Sequence, residues 1–195
     1  MDYIKERLKE RCLLFLYVLS STSVGVNTNT FKRYLYLYYL SGSFFYEQMD
    51  DITISIDKGD IKIPYLDTIL DEFSLGEYIE INDNEIQIDD ELINLVNGML
   101  SSQNGEKGKF YDLYREIKPF INLLNSYDDQ FIFTIFFSEP TFQEASERGV
   151  DEVKSSSSIL SKLLIEFKQK LSNQNIDDYD ILTHWMDYVL KNYYK

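Results

Sequence analysis

One cysteine, one histidine, one tryptophan and three prolines occur in 195 residues. A single cysteine, Cys12, excludes an intramolecular disulfide and any multi-cysteine metal site. It precedes the apolar run Leu13–Leu19, where a small thiol is expected to pack as a core residue. A lone histidine, His184, offers no partner spacing for a nucleophile–base pair or a zinc site, so no catalytic or metal-ligating residue is assigned. The eight glycines are scattered and form neither the dinucleotide-binding nor the P-loop pattern, so no cofactor is expected. No apolar run approaches the roughly 18 residues of a membrane span. Asp2, Glu6 and Glu10 spoil the positive leader of a signal peptide, and the expected compartment is the cytoplasm. Cationic side chains are also scarce, with 19 Lys and Arg against 33 Asp and Glu, for a net charge of −14. That balance argues against a free-standing binder of the DNA backbone, whose affinity comes from neutralising phosphates.

Aromatic side chains are abundant instead. Sixteen Tyr and 13 Phe, within a hydrophobic content of 44%, rule out a disordered chain. The length fits one domain or two small lobes. The charge is uneven along the chain. Residues 1–50 carry +1, residues 51–105 carry −11 (2 basic, 13 acidic), residues 106–150 carry −3 and residues 151–195 carry −1. Almost all the excess negative charge therefore lies in one middle segment.

Helical spacing of Ile4, Leu8, Phe15 and Leu19 predicts a first helix, stopped by Ser20-Ser21-Thr22-Ser23. Asn27, Thr28 and Asn29 are N-cap candidates for a second helix through Phe31–Leu40. Ile52–Ile56 alternates as a strand before the turn at Asp57–Asp60. Pro64 then opens a short amphipathic helix on Leu66, Ile69, Leu70 and Phe73. Glu77–Ile81 and Glu85–Ile88 read as a hairpin, and Asp89-Asp90 caps a helix through Leu100. This order predicts a winged-helix-like lobe over residues 1–105. A linker is expected around Ser101–Gly108, followed by a helical lobe over residues 106–195, with the two lobes packed as one unit. The fold class is thus mainly α (α+β). In the second lobe Pro119 is expected to kink or divide a helix. Phe131–Phe137 is a buried strand or a buried helical turn, which periodicity does not separate. Thr141 and Glu144 have capping-box spacing, Ser155–Ser158 reads as a break, and two closing helices cover Ile159–Leu171 and Tyr179–Tyr194.

A winged helix usually reads DNA with its third helix in the major groove. Here that helix carries Asp67, Asp71 and Glu72 and no Lys or Arg, and the hairpin adds Glu77, Glu80, Asp83 and Glu85. Two like charges about 5 Å apart at an effective dielectric near 20 repel by about 3 kcal/mol, so this face is pushed off a phosphate backbone. The carboxylate pairs Asp89-Asp90, Asp128-Asp129 and Asp177-Asp178 stand where helix N-termini are expected, which accounts for them better than metal chemistry does. Two surfaces remain for a protein partner. The acidic face of residues 51–91 suits steering, since rim charges mainly set the on-rate. The set Lys32, Arg33 and Tyr34 with the turn Glu139, Pro140 and Phe142 suits affinity, since Tyr and Arg are enriched at interface hot spots.

Three segments carry a family resemblance: the N-terminal helix ending in Leu13–Leu19, the helix Phe31-Lys32-Arg33-Tyr34-Leu35-Tyr36-Leu37-Tyr38, and the turn Ser138-Glu139-Pro140-Thr141-Phe142. Together they resemble the small middle component of ABC-type three-component bacterial systems, and within these the small accessory subunit of Lamassu-type anti-phage defence. The resemblance implies a non-enzymatic subunit without a cofactor. It would bind an SMC- or RecN-like coiled-coil ATPase alongside an effector subunit, often a nuclease. The alternatives are a winged-helix transcriptional regulator, which needs a cationic reading helix, and an acidic antitoxin or DNA-mimic inhibitor, which needs a small basic toxin.

Overall fold

The structure is a computed structural model that describes residues 3–22, 25–46, 49–57, 59–101, 106–171 and 176–193. In chain order these form α1 (Tyr3–Ser20), β1 (Gly25–Asn27), α2 (Thr28–Phe45), β2 (Thr53–Asp57), β3 (Asp60–Lys62), α3 (Leu66–Leu75), β4 (Ile79–Asn82), β5 (Glu85–Ile88), α4 (Asp90–Ser101), α5 (Glu106–Leu124), α6 (Asp129–Phe137), α7 (Pro140–Arg148), β6 (Glu152–Lys154), a 3-10 turn (Ser155–Ser157), α8 (Ile159–Lys170) and α9 (Asp178–Tyr193). The described chain is mainly α, with two small antiparallel sheets ordered β1-β5-β4 and β3-β2-β6. It divides into two compact units, each drawn from two stretches: Met1–Phe31 with Pro64–Ser126, and Lys32–Ile63 with Tyr127–Lys195. This division differs from the one at residue 105, and residues 102–105 of the expected linker lie outside the described residues.

The first unit is built around α1, with the β1-β5-β4 sheet, α3, α4 and α5. Its centre is the second half of α1, where Cys12–Leu16, Val18 and Leu19 are buried. The helix α5 joins this unit because Ile117, Phe120, Ile121 and Leu124 form a buried stripe against α1. Tyr114 meets Tyr17 edge-on at 5.9 Å, and the Asn125 amide donates to Thr22 Oγ1 at 2.6 Å. Pro119 does not divide α5, which runs unbroken over 19 residues. Both Pro119 and Arg115, whose carbonyl loses its helical donor, are exposed, so water can take the vacant acceptor. Asn27 caps the start of α2, its Oδ1 accepting from the Asn29 N–H at 2.9 Å. The hairpin that the sequence reading takes as a wing is β4–β5, with Asp83 and Asn84 at φ 47° and 68°, the left-handed pair of a two-residue hairpin turn. A strand the sequence did not announce, β1, pairs with β5; three residues are too short to display a period.

The second unit holds the rest of α2 together with β2, β3 and every element from α6 onward. Here β2 pairs with β3 on one side and β6 on the other. The run Phe131–Phe137 is helical. Asp128 decides it, because its side chain accepts from the Phe131 N–H at 2.8 Å and nucleates α6. Two of the four serines, Ser155 and Ser158, are connectors rather than a simple break. Ser155 Oγ accepts from the Ile52 N–H at 3.0 Å, and the hydroxyls of Ser158 and Ser161 both donate to the Leu40 carbonyl. The N-cap of α7 also differs from expectation. Pro140 at the first helical position holds Glu139 extended (φ −67°, ψ 128°). Glu139, and not Thr141 with Glu144, therefore supplies the cap.

Candidate functional site

The affinity set gathers in the second unit, around the face of α2 that meets α6 and the head of α7. Lys32 is half-buried and its Nζ lies 3.6 Å from Asp60 Oδ1. The Arg33 guanidinium sits 5.0 Å from the centroid of Phe133 and 6.0 Å from that of Phe136. Burial lowers the Arg33 pKa, and the nearby Asp129 carboxylate opposes that shift. Phe133 is 45% exposed and lies against Phe137, with ring centroids 4.4 Å apart. A cation covering a partly open aromatic pair is thus what this surface shows to solvent.

The remaining members lie deeper. Tyr34 is buried; burial, then the Asp129 charge, pushes its phenol well above the usual range. Glu139 is fully buried and accepts four hydrogen bonds. Tyr36 O–H reaches Oε2 at 2.7 Å, Thr141 N–H and Oγ1–H reach Oε1 at 2.9 and 2.7 Å, and Phe142 N–H reaches Oε2 at 2.8 Å. Burial raises the Glu139 pKa, and these donors pull it back. Phe142 is buried between Phe136 and Phe137, at 4.8 and 5.1 Å, and Pro140 is half-buried. Tyr34, Glu139 and Phe142 are therefore interior residues of this unit, while Lys32 and Arg33 keep part of their surface. The sequence showed the cations but not Phe133 and Phe137, whose positions depended on the helix-or-strand question.

The acidic face belongs to the first unit and is carried by α3 and the wing. The buried side of α3 is Leu66, Ile69, Leu70 and Phe73. Its outer side exposes Asp67, Thr68, Asp71 and Leu75, and the wing exposes Glu80, Asp83 and Glu85. Glu72 is committed internally: Lys5 Nζ and Lys9 Nζ each approach its carboxylate to 2.6 Å. The bonds from Lys5 and then Lys9 hold its pKa down to about 2. Leu75, 86% exposed, was not singled out in the sequence. The i, i+4, i+8 spacing with Asp67 and Asp71 is the signal that places it on the outer stripe.

Elsewhere the side chains with chemical potential have local roles. Cys12 is fully buried, and burial pushes its thiol far up. His184 is exposed, and its Nδ1 lies 2.6 Å from the Asp180 carbonyl one turn back. Among the described residues no group of three or more His, Cys, Asp or Glu side chains could hold a metal ion, and no helix is long and apolar enough to cross a membrane. No protein-family model, no curated protein and no solved structure matches this chain.

Proposed function

We propose that this chain is a non-catalytic accessory subunit of a cytoplasmic anti-phage defence complex. In that complex it joins an SMC- or RecN-like coiled-coil ATPase and an effector subunit, as the resemblance to the Lamassu small subunit implies. The outward face of α3 and the wing carries this reading. In the winged-helix reading it is the face that would meet DNA, yet it exposes Asp67, Asp71, Glu80, Asp83 and Glu85. No Lys or Arg occurs between Lys62 and Lys107. Such a face is repelled by phosphates and attracts a cationic protein surface. The partly open Arg33–Phe133 pair supplies a second contact surface of the type enriched at hot spots.

Two measurements test the reading. Affinity purification of the tagged chain from its native cells, read by mass spectrometry, is expected to recover a large coiled-coil ATPase. Recovery of one small basic protein alone would favour the inhibitor reading instead. Titration with duplex DNA at about 150 mM salt is expected to show no binding. Binding with the steep salt dependence of phosphate contacts would revive the transcriptional regulator.

A further inference from the structure

We propose that the exposed stripe of α3, formed by Asp67, Thr68, Asp71 and Leu75, docks a basic amphipathic helix of a partner protein; this deepens the accessory-subunit reading and rests on it. Asp67, Asp71 and Leu75 recur every four residues, so they line one side of the helix over about 12 Å. The opposite side is buried, which fixes the direction in which the stripe faces. Leu75 is the most exposed large apolar side chain among the described residues, at 86%. Neither Asp67 nor Asp71 has an ion-pair partner among the described residues, whereas their neighbour Glu72 has two.

Two residues that flank α3 have backbone conformations that ordinary side chains rarely adopt. Tyr65 and Glu77, on either side of α3, have φ of 65° and 58°, and a bulky residue in the left-handed region is an outlier. A helix suits the stripe because four residues advance about 6 Å along a helix axis. Cations at i and i+4 of the partner therefore match Asp67 and Asp71, and an apolar residue one turn further reaches Leu75. The partner must be basic on charge grounds. A second copy of this chain would bring the same carboxylates to the contact, and DNA would bring phosphates.

The test uses the full chain and a synthetic 18-residue helical peptide with Lys at i and i+4 beside a leucine stripe. A peptide of identical composition, scrambled to destroy the stripe, is the comparison. Fluorescence anisotropy at about 150 mM salt is expected to show the patterned peptide binding at least about tenfold tighter than the scrambled one. Asp67→Asn/Asp71→Asn and Leu75→Ser should each remove about tenfold, while Glu147→Gln/Glu166→Gln, exposed carboxylates elsewhere, should change nothing. Equal binding of the scrambled peptide, or an equal loss in the Glu147/Glu166 variant, would overturn the inference. So would self-association of the chain that Leu75→Ser abolishes. An Asp67→Asn/Asp71→Asn/Leu75→Ser chain that still captures the ATPase at the wild-type level overturns the stripe and leaves the accessory-subunit reading standing. A wild-type chain that captures no coiled-coil ATPase removes that reading, and the peptide comparison still judges the stripe.

Discussion

Glu139 illustrates how far a side chain's role depends on what the fold puts around it. In the sequence it stands in a polar turn beside a proline and reads as a surface contact. In the structure its carboxylate is buried and takes four donors from α2 and α7. Replacing it removes a helix cap, which costs about 1 kcal/mol, and leaves buried donors unpaired, at about 1–3 kcal/mol. Glu139→Ala is therefore expected to lower stability by about 3 kcal/mol in urea unfolding, and Tyr36→Phe by about 1 kcal/mol. Equal stabilities of Glu139→Ala and wild type would show that the buried cluster is not holding these helices. Arg33→Ala, which uncovers Phe133, should cost about 1 kcal/mol by loss of the cation–aromatic contact. Cys12 could be read correctly because its apolar neighbours already describe its surroundings. Glu139 could not, because Tyr36 lies 103 residues away.

Among the elements, helices with a clear apolar stripe and the β4–β5 hairpin were legible and three-residue strands were not. The stripe Leu66, Ile69, Leu70 and Phe73 identifies α3 and its buried side, and the period-two run Ile52–Ile56 identifies β2. The three-residue strands β1 and β6 are set by pairing with distant β5 and β2, which no local pattern reveals. The run that became α6 was ambiguous because every position but one is apolar. Its cap settles the matter, so Asp128→Ala should destabilise by about 1 kcal/mol. The attachment of α1 to α3 through Glu72 gives a pH dependence. The folded pKa is about 2, below the ordinary 4.5. Its stabilising contribution is therefore complete above about pH 4.5 and is lost as the pH falls towards 2. The stability difference between wild type and Glu72→Gln should shrink across that window, and a constant difference would contradict the pairing.

At the scale of the whole molecule, contiguity in sequence and contiguity in space part company. The composition change near residue 105 suggested two lobes joined there. Each compact unit instead draws on both sides of that point: α5 completes the first, and the stretch from Lys32 to Ile63 completes the second. Chains cut into 1–105 and 106–195 should therefore fail to fold separately, because the former lacks the α5 stripe and the latter lacks Tyr36 and β2. Circular dichroism and cooperative melting of the isolated pieces check this. The charge distribution was fully legible, since net charge needs no structure, and it argues against phosphate contact more firmly than it selects a partner. The central claim is that this acidic, mainly α chain works by holding other proteins. Native mass spectrometry of the complex captured on the tagged chain tests it most directly. The predicted result is an assembly containing this chain, a large coiled-coil ATPase and an effector subunit. The chain recovered alone, or bound only to one small basic protein, would contradict it.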